Sequence, residues 1–537
     1  MKAKLLLIGL LISSFAIAQT SIAVNTSKKY ISSNTYTETP VEIKSNGFNF
    51  EVIDAGANTK YSEFASGFFK GKLISVSSKK IGGLAKLDPN TKEGYKNLFC
   101  LDVDEKGQLS APLLFSRILN TNGSEGQLTF SPDQTVVYYT RSAKSNSLKY
   151  NLYKATLKEN SHGSWIQNEL VNINTPNASI ETPYLSKDGT KLYFASDMEG
   201  SIGGFDIFVA DINEDGTLSK PKNLGHGVNS TSDEKYPSLS VDGKALYFSS
   251  KGHQNLGGYD VFMSKIKDND TYKAPRNLGN TLNTSYDEVA FFFTTKNEGY
   301  ISSNKPQGKG GYDIYRAINS EVTQSIKGSI RDLTTKIKLP NTQVVLIDED
   351  NNEVAKMKTD ENGMFTFNKI IPFEEYTIKT QKDGFEDGNF EFIADKGYET
   401  EYNKSFDLKT KAAVIEKVND KLQIVLENIY FDYAKYSIKE ESTISLNKVI
   451  KVLNENPNMK LAINAHTDIR GNDSYNFRLS NKRAESALKY IIKSGIDKNR
   501  IVSEGFGETQ PLVDCKSKTC SDKDHETNRR IEFVILD

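Results

Sequence analysis

Residues 466–491 read HTDIRGNDSYNFRLSNKRAESALKYI, and this stretch decides the fold of the C-terminal part of the chain. Just before it, the apolar residues Leu461, Ile463 and Ala465 stand at every second position, which predicts a strand that ends at the opening HTD. Asp473 or Ser474 is a suitable cap for the helix that follows, and Gly495 is a suitable stop. The stretch therefore predicts a strand, a polar loop and a long helix.

The residues on either side extend this unit into a small α/β domain over residues 420–537. Apolar periodicity predicts strands over 424–431 and 501–504, a helix over 438–454 and a last strand around Phe533. The predicted order is βαβαβ followed by one more β-strand.

Four ordered phrases in this domain resemble the OmpA C-terminal family, which includes peptidoglycan-associated lipoproteins and flagellar stator proteins. The phrases are IYFDYAKYSI (429–438), the opening stretch 466–491, GFGETQP (505–511) and NRRIEF (528–533). The resemblance implies a domain that binds peptidoglycan non-covalently, through the diaminopimelate of the stem peptide.

The same resemblance implies which residues contact the ligand. Diaminopimelate carries an ammonium group and carboxylates, so its receptor needs an anion and a guanidinium fork. Ligand contacts carry over to Asp468, Asn476 and Arg483, and matching family positions add Thr467, Asp432 and Arg529. Alternatively, Asp468 is a turn residue and Arg483 a surface charge.

The three cysteines are interpreted separately. In an oxidising compartment Cys515 and Cys520 are predicted to form a disulfide, and free or metal-bound thiols are the alternative. Cys100 is predicted to be buried and free. With five His and three Cys in the whole chain, the sequence predicts no metal site and no cofactor.

Residues 323–408 predict a small β-sandwich of transthyretin type. The phrases IKGSIRD (326–332), PNTQVVLID (340–348), TDENGMFTF (359–367) and YTIKTQKDGF (376–385) are short strands between Asn/Asp/Gly turns. They resemble the carboxypeptidase regulatory-like fold, which implies a spacer or interaction module. A charged linker is predicted at 409–419.

The N-terminal half contains an internal repeat. Its register marks are separated by 54, 55, 54 and 53 residues and are Leu98, Leu152, Ile207, Val261 and Ile314. Each unit predicts four strands, so residues 47–320 are expected to form a five-bladed β-propeller, with six blades as the alternative. The repeats resemble WD-like or TolB-type propellers, and residues 48–52 are expected to complete the last blade.

Two sets of acidic residues recur in the repeat. One precedes the first strand of each unit and is assigned to Glu63, Glu125, Glu181, Glu234 and Glu288. The other is Asp206, Asp260 and Asp313, which are interpreted as turn caps, with a ring of ligand carboxylates as the alternative.

The N-terminus predicts export. Lys2 and Lys4 precede an apolar run over 5–12, and small residues end at Ala18, which is typical of a signal peptide at 1–18, followed by a flexible leader at 19–46. The sequence predicts no lipobox and no transmembrane helix. The expected location is the periplasm, peripherally associated with the outer membrane and cell wall.

The net charge and the motifs limit the classes of function that we expect for this chain. The 68 Lys and Arg balance 69 Asp and Glu, so the net charge of −1 argues against nucleic acid as a partner. We expect a non-enzymatic envelope protein whose propeller and middle domain form a scaffold for an outer-membrane protein. This order of domains resembles envelope proteins of Bacteroidetes, some of which are tied to type IX secretion and gliding. The alternative is a propeller-based hydrolase or lyase anchored to the cell wall, although no GxSxG or HExxH motif is present.

Overall fold

A computed structural model describes most of the chain, but the predicted signal peptide and nearly all of the leader lie outside the described residues. The described ranges are 46–82, 87–144, 146–267, 270–397, 400–418, 420–426, 429, 431, 434–517 and 519–536.

Five antiparallel sheets follow one another over the first half of the described chain. Their strands are β1 (Phe48–Asp54); β2 (Glu63–Phe69), β3 (Lys72–Ser77), β4 (Asn97–Leu101) and β5 (Leu113–Leu114); β6 (Glu125–Phe130), β7 (Val136–Ala143), β8 (Asn146–Leu157) and β9 (Trp165–Leu170); β10 (Ile180–Leu185), β11 (Lys191–Ser196), β12 (Asp206–Asp211) and β13 (Lys222–Asn223); β14 (Glu234–Leu239), β15 (Ala245–Ser250), β16 (Asp260–Lys267), β17 (Thr271–Tyr272) and β18 (Arg276–Asn277); β19 (Glu288–Phe293), β20 (Glu298–Ser303) and β21 (Asp313–Glu321).

Within each sheet the strands pair in chain order, with two exceptions: β17 and β18 both pair with β16, and β1 is the outer strand of the fifth sheet. Phe48 pairs with Glu321 and Asp54 with Tyr315, as the sequence predicted for residues 48–52. The first strand of each sheet contacts the first strand of the next, and β19 contacts β2. The five first strands β2, β6, β10, β14 and β19 thus form a closed cycle of contacts.

Aromatic side chains fill the space between neighbouring sheets. The ring of Phe69 lies 5.1 Å from that of Phe130 and 5.4 Å from that of Trp165, which is fully buried. Such clusters bind the first sheet to the second by removing large apolar surfaces from water.

The recurring aspartates cap the glycine-rich loops. Asp206, Asp260 and Asp313 each accept a hydrogen bond, 2.6 Å long in all three, from the backbone N–H four residues earlier. This is the turn-capping role.

One assignment in the other acidic set was wrong by one residue. Ile180 pairs with Ser196 as Glu234 does with Ser250, so in the third sheet an apolar residue occupies the repeat position. Glu181 therefore takes the next position along the strand, which faces the other way because side chains alternate across a strand.

Residues 324–408 form two facing sheets. Their strands are β22 (Gln324–Asp332), β23 (Gln343–Asp348), β24 (Glu353–Lys358), β25 (Met364–Ile370), β26 (Glu375–Gln381), β27 (Gly388–Ile393) and β28 (Glu401–Leu408). One sheet has the order β25-β22-β28, with β22 and β28 parallel, and the other has the order β24-β23-β26-β27. Their shared core contains Val344, Phe365 and Phe406.

The C-terminal domain is one mixed sheet covered by helices. Its elements are β29 (Val414–Val418), β30 (Lys421–Val425), α1 (Glu440–Glu455), β31 (Lys460–His466), α2 (Asp473–Lys493), a 3-10 helix (Lys498–Arg500), β32 (Ile501–Gly507), α3 (Asp522–Asn528) and β33 (Ile531–Leu536). The strand order is β29-β30-β33-β31-β32, and β31 and β32 are parallel.

Three predictions about this domain need correction. The first predicted strand, 424–431, is replaced by β30, which ends at Val425. The predicted linker 409–419 contains β29, which pairs with β30. Helix α3 was not predicted. Among the described residues, none of the helices has the length and hydropathy needed to cross a bilayer.

Candidate functional site

The candidate site lies where the parallel strands β31 and β32 end together. The loop after β31 starts with Thr467, whose backbone N–H donates to the Gly507 carbonyl over 2.9 Å. Helix α2 then starts at its cap, Asn472, whose side chain accepts from the Tyr475 N–H over 2.8 Å. The cap is thus one residue earlier than predicted, and it directs one face of α2 towards the loop.

Asp468 is a buried carboxylate at the centre of the site. Its Oδ2 accepts from the Arg529 guanidinium over 2.5 Å, and its Oδ1 accepts from the Arg470 N–H over 3.1 Å. The Nδ1 atom of His525 in α3 lies 3.7 Å from Oδ2. A buried charge with these donors is held in one orientation.

Asn476 connects the loop to the end of β32. It is 1% exposed, and its Nδ2 donates to the Asp468 carbonyl over 3.2 Å and to Glu508 Oε2 over 2.5 Å. Asn476 therefore holds the backbone of the loop and leaves the Asp468 carboxylate to other partners.

Arg483 is the second charged group, two turns further along α2. It is 7% exposed, its Nε donates to the Lys435 carbonyl over 3.1 Å, and its guanidinium lies 4.8 Å from the Phe431 ring. Burial, followed by the nearby Arg529, lowers the pKa of Arg483. Within the described ranges it forms no ion pair, so its terminal nitrogens can receive an anion.

These groups line one cavity of about 290 Å³. It brings together five of the six predicted residues, because Thr467, Asp468, Asn476, Arg483 and Arg529 all border it. The sixth, Asp432, lies outside the described residues. The Thr467 hydroxyl is buried and has no hydrogen-bond partner among the residues that the structure describes.

Sequence reasoning missed several neighbours. Arg470, Tyr475 and Glu526 also line the cavity. Glu508 holds Asn476 and lies inside the phrase 505–511, so that phrase was the signal that could have revealed it.

The remaining charged residues near the site support the fold. His466 is 2% exposed, stacks on Phe506 and lies 3.6 Å from Glu532, which also pairs with Arg530 over 2.7 Å. The nearby His466 imidazole, and then the Arg530 guanidinium, lower the pKa of Glu532 to about 2.

The cysteines lie at two places. Cys515 and Cys520 are bonded to one another, with Cα atoms 5.5 Å apart, in the loop before α3. Cys100 is free and half-buried, whereas the sequence predicted a buried thiol.

Two family models match the chain. The OmpA family model matches residues 430–524, and the carboxypeptidase regulatory-like domain model matches residues 325–408.

Similar proteins match at the C-terminal domain. Over 125 residues the chain is 30% identical to the peptidoglycan-associated lipoprotein of Buchnera aphidicola, and the match covers 22% of this chain and 69% of that protein. Over 111 residues it is 36% identical to the photosystem I P700 chlorophyll a apoprotein A2 of Gloeobacter violaceus, covering 20% of this chain and 13% of that protein. The chain thus spans only a small part of the Gloeobacter protein's length.

A solved structure also resembles this region. The crystal structure of the peptidoglycan-associated lipoprotein from Burkholderia pseudomallei is 24% identical, with a TM-score of 0.19, and the match covers 20% of this chain and 91% of that one.

Proposed function

The chain belongs to the OmpA family, and from this premise we propose that it binds peptidoglycan non-covalently at the cavity beside α2. One observation carries the proposal: a buried carboxylate, Asp468, and a buried guanidinium, Arg483, border the same cavity. Diaminopimelate has an ammonium group for the first and a carboxylate for the second. The protein is then a non-enzymatic component of the cell envelope, in the periplasm and associated with the outer membrane and cell wall.

The experiment is co-sedimentation of the full chain with purified sacculi that contain diaminopimelate. We expect wild type to pellet, and Asp468→Ala and Arg483→Ala to remain in solution. Lys489→Ala is the matched control, because Lys489 is an exposed cation on the same helix that pairs with Glu485 over 2.7 Å. Thermal melts of all variants separate loss of binding from loss of folding.

The ligand itself is tested by calorimetry with stem peptides. A peptide containing diaminopimelate should release heat on binding, and the same peptide with lysine at that position should bind more weakly, because lysine lacks the side-chain carboxylate. If both variants pellet like wild type, or if the diaminopimelate peptide gives no heat, the site is wrongly assigned.

We further propose that the five sheets form a five-bladed β-propeller over residues 47–320. The closed cycle of first strands and the pairing of β1 with β21 support this arrangement. The propeller and the regulatory-like domain at 323–408 then act as a scaffold that holds an outer-membrane protein. The order of domains, which resembles that of envelope proteins of which some are tied to type IX secretion and gliding, supports this role.

The scaffold is tested by cross-linking in intact cells. Wild type should cross-link to an outer-membrane protein, and a chain lacking residues 47–320 should lose that cross-link while still pelleting with sacculi. Cross-links that persist after the deletion would contradict the scaffold role.

A further inference from the structure

One side-chain position recurs in all five sheets, and in the first sheet it carries a different type of residue. The residue two positions before each register mark is aromatic in four sheets and a lysine in the first: Lys96, Tyr150, Phe205, Tyr259 and Tyr312. A change from tyrosine or phenylalanine to lysine replaces an apolar ring by a charge at one position of the repeat.

A second break in the repeat concerns the first strands of the sheets. The second residue of each first strand (β2, β6, β10, β14 and β19) is Phe64, Gly126, Glu181, Lys235 and Val289. The strand β6 therefore has no side chain at this position. A Cβ atom on Gly126 would lie 2.2 Å from Thr140 Oγ1 and 3.2 Å from the Tyr150 ring, so no larger residue fits.

Together the two breaks leave an inner cavity of about 60 Å³, room for a few non-hydrogen atoms. Its lining includes Phe64, Lys96, Tyr150, Glu181, Thr182 and Tyr236. Thr182 and Tyr236 lie at equivalent β-bulges, with φ of 49° and 56°, and the Tyr236 N–H donates to Thr182 Oγ1 over 3.1 Å. Residues other than glycine rarely adopt this backbone conformation, and such positions concentrate at functional sites.

Of the two charged side chains that line the cavity, one has an ion-pair partner and the other does not. Glu181 already has a partner, since its Oε2 accepts from Lys235 Nζ over 2.8 Å. Lys96 Nζ lies 5.0 Å from the centre of the Phe64 ring and makes no ion pair or hydrogen bond with any residue in the described part of the chain. A half-buried ammonium that makes no direct ion pair is unfavourable unless a ligand supplies a contacting anion.

We propose that this inner cavity binds a carboxylate group, with Lys96 as the counter-ion and the aromatic walls around the carbon atoms that bear it. A ligand with one negative charge matches the single unpaired ammonium. A dianion such as phosphate is disfavoured because the Glu181 carboxylate nearby would repel its second charge. The carboxylate belongs either to a small free acid or to an acidic side chain of a protein partner. This site is separate from the peptidoglycan cavity.

The two sources are distinguished by saturation-transfer NMR on the full chain, with two probes. The first is propionate and the second is the blocked peptide acetyl-Gly-Glu-Gly-amide, with the corresponding Gln peptide as control. If saturation is transferred to the Glu peptide but not to propionate, the bound carboxylate belongs to a protein side chain. If saturation is transferred to propionate, it belongs to a small free acid.

Variants of Lys96 assign the signal to the cavity. We expect Lys96→Gln to reduce the probe signal about tenfold, because the ammonium supplies the charge-assisted contact. Lys96→Tyr installs a residue that three other sheets already carry at this position and should fold and lose the signal too. Lys251→Gln should keep it, since Lys251 already pairs with Asp233 over 3.1 Å.

The peptidoglycan cavity also attracts carboxylates, so the same spectra are recorded with Arg483→Ala. A signal that survives Arg483→Ala and disappears with Lys96→Gln supports the proposal. It is overturned if wild type gives no signal at millimolar probe, if the Gln peptide gives the same signal, or if both Lys96 variants retain it.

Discussion

At the scale of single residues, a substitution of Thr467 can test ligand binding without disturbing the fold. Its hydroxyl is buried at the edge of the peptidoglycan cavity and has no partner among the described residues, while its N–H is already used by Gly507. A buried hydroxyl without a hydrogen bond costs stability unless a ligand accepts or donates one.

We therefore expect Thr467→Val to leave the free energy of unfolding unchanged or slightly raised, and to weaken binding to sacculi by about tenfold, equivalent to about 1.4 kcal/mol for one lost hydrogen bond. Denaturant unfolding and co-sedimentation measure the two effects. Thr467→Ser keeps the hydroxyl and should bind like wild type. Equal binding by the Val variant would show that the hydroxyl does not contact the ligand.

At the scale of elements, the disulfide loop and α3 form one support for the site. Asn528, at the end of α3, is fully buried, and its Oδ1 accepts from the N–H groups of Leu512 and Val513 over 2.9 Å each. Its Nδ2 lies 3.6 Å from Cys515 Sγ. Arg529 follows directly and contacts Asp468, so the loop fixes the position of a site residue.

Replacing both Cys515 and Cys520 by serine should therefore affect stability and binding together. For so short a loop the loss of stability is expected to be about 2 kcal/mol. Binding to sacculi should weaken because Arg529 is less firmly held. Calorimetric melts and co-sedimentation test this, with Cys100→Ser as the control. Lower stability with unchanged binding would show that α3 is positioned without the disulfide.

The elements also show where sequence reasoning succeeds. The repeat register identified the strands because Leu192 and Leu246 recur at fixed spacing, with Asp-Gly turns before them. It failed by one residue at Glu181, because an acidic residue happens to follow Ile180. Helix α3 could not be predicted, since its seven residues DKDHETN have no apolar periodicity.

In the candidate site, too, local sequence patterns predict the residues that share one element but not the contacts between distant parts of the chain. Asn476 and Arg483 are seven residues, or two turns, apart on one helix and therefore share a face, and the structure places both at the cavity. The contact between Asp468 and Arg529 joins residues 61 positions apart. Such a pairing depends on how β33 is inserted between β30 and β31, which local sequence patterns do not determine.

At the scale of the whole molecule, charged side chains join the repeat sheets to the sandwich. Lys265 Nζ lies 2.7 Å from Glu349 Oε1, and Lys273 Nζ lies 3.2 Å from Glu349 Oε2. Arg276 stacks between the rings of Phe48 and Phe373, at 4.7 and 4.3 Å. On the other side of the sandwich, Ile444 of α1 is part of its core.

Glu349 makes this interface sensitive to pH. Burial raises its pKa, but the hydrogen bonds and charges of Lys265 and Lys273 outweigh this and lower the pKa to about 2. Because the pKa in the folded chain lies below the ordinary value of 4.5 for glutamate, the stabilisation is fully present above that value. It is lost as the pH falls from there towards 2.

We expect Glu349→Gln to loosen the sandwich from the repeat sheets at neutral pH, by about 1 kcal/mol or less because the carboxylate is partly exposed. Small-angle scattering should show a larger radius of gyration for this variant at pH 7, and for wild type only at acidic pH. Asp350→Asn is the matched control, since the Asp350–Lys244 pair is more than half exposed and contributes little. Equal curves for wild type and Glu349→Gln at pH 7 would mean that Arg276 and its aromatic neighbours hold the interface without the carboxylate.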